Sequence, residues 1–488
     1  MHSSVKDLIS RFTGSHVPVF FTIAFCTSCS LTTTDVAECT SSLECRTAFG
    51  FGSACSNEGY CTQAETTPRC TKTYPEDLFD EPEKYSNTIV IGNLMDRSLV
   101  THQARENAAQ LALQQANEQG GVDGWTFGSV YCTIEVNSDY DDYNRQEAAV
   151  ASARYLIDSL AVPAIVGPAA SGDTQQVFQA LANDDVLIIS PSATSPALSG
   201  LESPPFSDQA PGRLWRTAPP DSLQGQAIAS DMTEPGVGRA APVSNVAVIH
   251  EAGAYGEGLL AVFKLVFPGS VTELPYDNQA VLGEAIASAG ASGVQEVVFI
   301  SSQSDDVIAF LDAASLPNYD GKSIFLTDGA ANSDVLSEAN PVRFPQVRGS
   351  RPAPLDPVND LVYATFLSSY YAVYGDDATQ YSFVAHAYDA AWLVAFGAAW
   401  ALLREDGVTG TNIAKGLRRI SDPVAPTLEL KPSSWAAALQ SFANGQAVNI
   451  EGASGRLDYD PANEETSANI EIWRIQGGEI SGVDLWTP

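Results

Sequence analysis

Three short stretches carry residue types that could capture a small charged molecule. Ser171-Gly172-Asp173-Thr174 follows the apolar run Ala164–Val166, and Ser190–Ser195, which holds Ala193 and Thr194, follows the apolar run Val186–Ile189. Asp328 follows Ile324–Thr327 and precedes Gly329. A Ser or Thr hydroxyl beside the free N–H groups of a helix start can hold a small anion such as a carboxylate. A carboxylate at a strand end can pair with an ammonium. Together Ser171, Thr194 and Asp328 would suit a zwitterionic amino acid. The same residues also serve as ordinary caps and turns, and local chemistry leaves the two readings level.

Other motifs point to chemistry less directly. Gly256-Glu257-Gly258-Leu259-Leu260-Ala261 fits a dinucleotide fingerprint, with Glu273 further on. Its first glycine, however, stands too far beyond the strand that ends near His250, so a nicotinamide-linked enzyme is the weaker reading and no cofactor is expected. No G-x-S-x-G, H-E-x-x-H or P-loop occurs, so no catalytic residues and no enzyme are expected. His102 and His386 fall in helical stretches and read as structural. Asp139–Asp142 could ligate a cation but reads as a solvated loop, so no metal is expected.

The elements that would position these residues alternate along the chain. Strand patterns at Thr88–Gly92, Trp125–Val136, Asn245–His250, Val271–Leu274 and Glu296–Ser301 alternate with helical ones at Leu99–Gln119, Arg145–Leu160, Asp173–Asn183, Gly253–Phe267, Asn278–Ala289 and Asp305–Ala314. Short all-apolar strands joined by helices predict doubly wound parallel sheets, an α/β fold. Ligands of such sheets collect at the strands' carboxyl ends, where the three stretches lie. Residues 330–356 read as irregular, Thr379–Leu403 as one long helix, and Gly455–Tyr459 and Asn469–Ile475 as late strands.

Composition narrows the class. The 488 residues carry 25 basic and 59 acidic side chains, a formal net charge of −34, which argues against nucleic-acid binding. Residues 1–28 resemble an export signal, with Lys6 and Arg11 before the short apolar run Val17–Phe25. Ser28-Cys29 resembles a bacterial lipoprotein processing site, so Cys29 is the expected lipid anchor to the membrane. The six cysteines that follow, Cys39, Cys45, Cys55, Cys61, Cys70 and Cys132, suit disulfides in an exported protein, although their number leaves the pairing open. A small segment like Cys39–Cys61 needs such staples. Cys70 is placed to tie this module to Cys132. Thr66–Glu83, with Pro68, Pro75 and Pro82, reads as a tether.

From Asn87 onward the chain resembles the type I periplasmic binding proteins, nearest to the branched-chain amino-acid (leucine/isoleucine/valine) binding proteins of ABC transporters. The resemblance rests on Asn117–Gly124 (NEQGGVDG), Ile165–Gln175 (IVGPAASGDTQ), Ile189–Leu198 (ISPSATSPAL), Val248–Leu259 (VIHEAGAYGEGL), Thr327-Asp328-Gly329 and Gly455–Asp460 (GRLDYD), in that order. It implies two Rossmann-like lobes joined by three hinge crossings, near Arg216–Thr217, Gly349–Arg351 and Gly452–Gly455, with ligand held between them and hinge closure on binding. The implied organisation is a signal (1–28), a Cys-rich module and tether (29–86), lobe 1 (87–216 with 351–452) and lobe 2 (217–350 with 453–488). By the same resemblance Ser171, Ala193 and Thr194 hold the ligand carboxylate, Tyr255 and Ser301 line the opposite wall, and Asp328 faces the ammonium. Ser301-Ser302 and Asn93–Arg97 depart from the family pattern, which puts a leucine-like ligand in doubt. The implied role is an exported, lipid-anchored capturer of an amino acid or similar small polar solute. Its partner would be an ABC permease or, alternatively, a sensory one.

Overall fold

The computed structural model of the protein describes residues 38–203, 205–234, 239, 241–354 and 360–488, so the expected export signal and Cys29 lie outside the described residues. Within them, the apolar runs become strands covered on both faces. In Thr88–Met95, Ile89 and Ile91 join one hydrophobic cluster while Val90 and Leu94 join another. Ile165 and Ile188 likewise face away from Ala164, Val166, Leu187 and Ile189. Side chains alternate along a strand, so an unbroken apolar run needs cover on both sides. Helices supply it.

The first sheet has six strands. In spatial order they are Lys72–Tyr74, Thr126–Thr133, Thr88–Met95, Ala164–Val166, Leu187–Ser190 and Leu214–Arg216, parallel except for the first. The second sheet has seven: Ser270–Tyr276, Asn245–Glu251, Glu296–Ile300, Ser323–Leu326 and Val347–Ala353 are parallel, and Asn469–Gln476 and Glu479–Trp486 complete it antiparallel. In each sheet the second strand of the parallel run lies outside the first, and the third lies on the first strand's other side. The chain therefore reverses direction at the first strand. That reversal opens a crevice at the strands' carboxyl ends.

The helix Val384–Arg404 is buried continuously from Val384 to Ala401. It packs on Val100–Glu118, on Gly410–Leu417 and on Trp435–Ala443. A helix that is apolar all round is stable only inside a protein, and this one forms the centre of the first lobe's larger cluster.

Several elements differ from expectation. The stretch read as irregular contains the strand Val347–Ala353, a central member of the second sheet. Its sequence, VRGSRPA, has little strand propensity. Tertiary pairing organises it instead: Arg351 donates to Glu471 at 2.8 Å on the adjacent strand, and Arg348 pairs with Asp231. The long helix expected from Thr379 begins only at Val384. The stretch read as a tether packs down: Lys72–Tyr74 extends the first sheet, and Arg69, Cys70 and Leu78 are buried. The late hairpin partner Glu479–Trp486 follows the turn Gly477-Gly478, whose φ angles of 64° and 88° suit glycine.

The sulfurs of Cys39 and Cys55, Cys45 and Cys61, and Cys70 and Cys132 stand at 2.01, 2.02 and 2.02 Å, disulfide distance. The last pair joins the Cys-rich module to the first lobe. The chain crosses to the second lobe after Arg216 and returns after Ala353. Residues 453–466 were expected in the second lobe, yet Ala453, Leu457 and Tyr459 lie in the first lobe's cluster, and the chain enters the second sheet only at Asn469. The second and third crossings thus run side by side as an antiparallel pair.

Candidate functional site

The crevices of the two sheets face each other across a narrow cavity of about 30 Å³, set in an envelope of about 500 Å³ that includes open solvent. From the first sheet come the loop and helix start after Thr88–Met95, giving Thr101, His102 and Arg105, and those after Ala164–Val166, giving Ala169, Ala170 and Ser171. From the second come Tyr255, Ser302 and Gln303 at the reversal point, with Asp328 and Gly329 after the neighbouring strand.

The helix Ser171–Ala180 opens without a side-chain cap, because its N-cap is Ala170. Among the described residues no acceptor engages the N–H groups of Ser171, Gly172 or Asp173. Such a helix start favours an anion through its free donors and its dipole. Ser171 Oγ accepts from Ser195 N at 3.2 Å, which leaves its hydroxyl proton available.

Across the cavity lies an acidic cluster. Asp328 Oδ1 accepts from the Tyr255 hydroxyl at 2.7 Å and from Gln224 Nε2 at 2.8 Å. Gln224 Nε2 also reaches Ser350 Oγ at 3.0 Å, on the second crossing. Burial pushes the Asp328 carboxyl above its usual range, against the pull of these two donors. Asp221 is fully buried behind it, with the Thr194 hydroxyl as its neighbouring donor. Burial, with the charge of Asp328 added, drives Asp221 far upward. Gln224 Oε1 is buried without a partner among the described residues, and the Thr327 hydroxyl neighbours Tyr255. Two buried acids beside an open acceptor suit a hydrogen-bonding cation.

Arg105 lines the same cavity and is 6% exposed. Its Nε donates to Ser382 O and its Nη1 to Ser192 Oγ, both at 3.1 Å, and its guanidinium carbon sits 5.2 Å from the Phe383 ring centroid. Phe383 has φ 67°, a left-handed conformation that strains a bulky residue. Such strain gathers at ligand-holding positions. Burial lowers the Arg105 pKa to about 10, which keeps it charged, whereas burial first and Arg105 second hold neighbouring His102 well below its ordinary value.

The sequence-derived residues divide. Ser171, Tyr255 and Asp328 line the cavity together. Thr194 stands behind it, its carbonyl accepting from Asp221 N at 2.8 Å. Ala193 does not line the cavity, and its N–H is taken by Ser190 Oγ at 3.0 Å. Ser301 does not line it either. Strand alternation carries it to the side of Phe299, where its hydroxyl lies 3.4 Å from both Glu251 and Asp306. The next residues, Ser302 and Gln303, take the wall position, and Glu251, raised to about 7 by burial, accepts from Ser302 N at 2.7 Å.

Arg105, His102, Gln224 and Asp221 were missed. The first two sit in the first turns after a strand's carboxyl end, the criterion that found Ser171 and applies equally to them. Asp221 and Gln224 lie just beyond the first crossing, a position that only the resemblance could have marked. The glycines of the nucleotide-like motif have a packing cause: a Cβ on Gly256 would meet Glu251 O at 2.0 Å, and one on Gly258 would meet Ser195 Oγ at 2.8 Å, in the other lobe.

A sequence profile for the family described as periplasmic binding protein matches residues 88–469. The Leu/Ile/Val-binding protein homolog 3 of Brucella melitensis biotype 1 is 27% identical over 176 residues, 36% of this chain and 41% of that protein, so the chain spans less than half of that relative's length. The chemotactic signal transduction system substrate-binding protein BasB of Halobacterium salinarum is 24% identical over 372 residues, 75% of this chain and 80% of that protein. Among solved structures, the branched-chain amino acid transporter substrate-binding protein LivJ of Streptococcus pneumoniae, in complex with isoleucine, matches with a TM-score of 0.61 at 20% identity, covering 82% of this chain and 100% of that one. A leucine-binding protein of Thermotoga maritima matches with a TM-score of 0.63 at 16% identity, covering 82% and 99%. These likenesses are in fold.

Proposed function

On the premise that the chain belongs to the periplasmic binding protein family and has the type I fold, we propose that it captures an amino acid between its lobes and performs no catalysis on it. One observation carries the reading: an uncapped helix start at Ser171 in one lobe faces the Asp328–Tyr255 pair of the other across one cavity. The helix start takes the α-carboxylate, with Thr194 behind it, and Asp328 takes the ammonium, backed by Asp221. Closing the lobes brings both ends of the zwitterion to their partners at once, which couples binding to hinge motion.

Calorimetry of the full chain against a panel of amino acids tests this. At least one amino acid binds, and Asp328→Asn weakens it by about 10- to 100-fold, as expected for losing a charge-assisted contact. A panel without any binder ends the reading, and unchanged affinity in the variant removes Asp328 from the site.

The captured solute passes to an ABC permease. The Streptococcus protein of the same fold is named as a transporter's substrate-binding protein, which supports a transport partner. A second reading, ligand sensing, has its own support in the chemotactic role named for the Halobacterium relative, which the chain matches over most of its length. Loss of uptake of the identified ligand in cells lacking the protein favours transport, and loss of taxis alone favours sensing. The location is the periplasm or cell surface, with Cys29 as lipid anchor. Palmitate labelling of the chain that disappears in Cys29→Ser checks the anchor.

A further inference from the structure

In the proposed reading the helix start at Ser171 takes the α-carboxylate and Asp328 the ammonium, which leaves Arg105 in the cavity wall as an anion-binding group without an assigned partner. It is a nearly buried cation in the cavity wall, held rigidly by Ser382, Ser192 and the ring of Phe383. Among the described residues no acceptor engages its Nη2, and no carboxylate is ion-paired with it. The anion whose charge acts on it is Asp328, in the opposite lobe. Once a bound ammonium neutralises Asp328, a buried guanidinium would be left without a counter-charge, which is costly. A guanidinium with a spare donor edge suits a second planar anion, and carboxylate fits that edge.

We infer that the solute carries a second, side-chain carboxylate held by Arg105, so that the ligands of this cleft are acidic amino acids. The inference rests on the proposed amino-acid capture and names its substrate class. It also fits the departures from the leucine-binding pattern: the helix bearing Arg105 follows Asn93–Arg97, and Ser301-Ser302 stands where that pattern carries a Gly/Tyr segment. A neutral apolar side chain would leave Arg105 buried and unpaired.

Calorimetry of the full chain with L-glutamate, L-aspartate, L-glutamine and L-leucine tests this. One of the two acidic amino acids binds about 10-fold or more tightly than glutamine, the range of one charge-assisted pair. Arg105→Met erases that difference. Arg105→Lys, which keeps the charge without the fork, restores part of it, and the melting temperature of each ligand-free variant verifies folding. Equal affinity for glutamate and glutamine in the native chain overturns the inference while leaving amino-acid capture standing. Equal losses for glutamine and glutamate in folded Arg105→Met place the guanidinium on the α-carboxylate and overturn it as well. Binding of no amino acid at all removes the underlying reading too.

Discussion

Asp389 lies fully buried in the long helix Val384–Arg404, where it accepts from Ala453 N at 3.0 Å, Ser454 N at 2.7 Å and Ser454 Oγ at 2.5 Å. Burial raises its pKa to about 7 despite those donors. An unfolded Asp titrates near 4, so between about pH 4 and 7 the native state holds a proton that the unfolded chain has released. Stability from this group is therefore full at the acid end and falls as pH rises through 7. Thermal melts of the native chain between pH 5 and 7.5 show a declining apparent Tm, with Glu251 and Glu464, also raised to about 7, contributing in the same direction. Asp389→Asn flattens the decline by up to roughly 1.4 kcal/mol per pH unit. Parallel declines in the two proteins would show that Asp389 is not one of the titrating groups.

At the scale of elements, the segment Lys72–Tyr74 is a strap. It is a three-residue edge strand paired antiparallel with Thr126–Thr133. So short a strand has little hold of its own, and Cys70–Cys132, closing a separation of 62 residues, pins its start. Cross-linking a loop of that length stabilises by about 4 kcal/mol at most in the chain-entropy account. The double variant Cys70→Ser/Cys132→Ser lowers the urea midpoint accordingly, and the amides of Lys72–Tyr74 exchange faster than those of Thr88–Met95. A midpoint unchanged from the native chain would assign the strap's hold to its buried residues Arg69 and Leu78.

At the scale of the molecule, the whole chain carries a formal net charge of −34. Like charge opposes the compact state, and salt screens it. The Debye length shrinks from about 14 Å at 0.05 M salt to about 3 Å at 1 M. Apparent Tm therefore rises by several degrees between those conditions, read by calorimetry. A fall would mean that the surface ion pairs, such as Lys264 with Glu273 and Lys84 with Asp77, outweigh the repulsion. The same acidity leaves the buried cation Arg105 as a local exception in the cleft, where its field is least screened.

The sequence by itself determined the alternation of strand and helix, because all-apolar runs such as Val186–Ile189 can be stable only with cover on both faces. It also marked Ser171 and Asp328 as candidates, since strand carboxyl ends and helix starts are legible from local pattern, whereas Tyr255 came from the family resemblance. Tertiary structure decided what pattern cannot carry. Val347–Ala353 becomes a strand through its neighbours' hydrogen bonds and ion pairs, not through its own propensity. The break at Phe383, the turning of Ser301 into the lobe and the approach of Arg105 to Asp328 all depend on elements distant in the chain. A local sequence records which backbone and burial it prefers; which groups from two sheets meet across a cleft depends on how those sheets are packed.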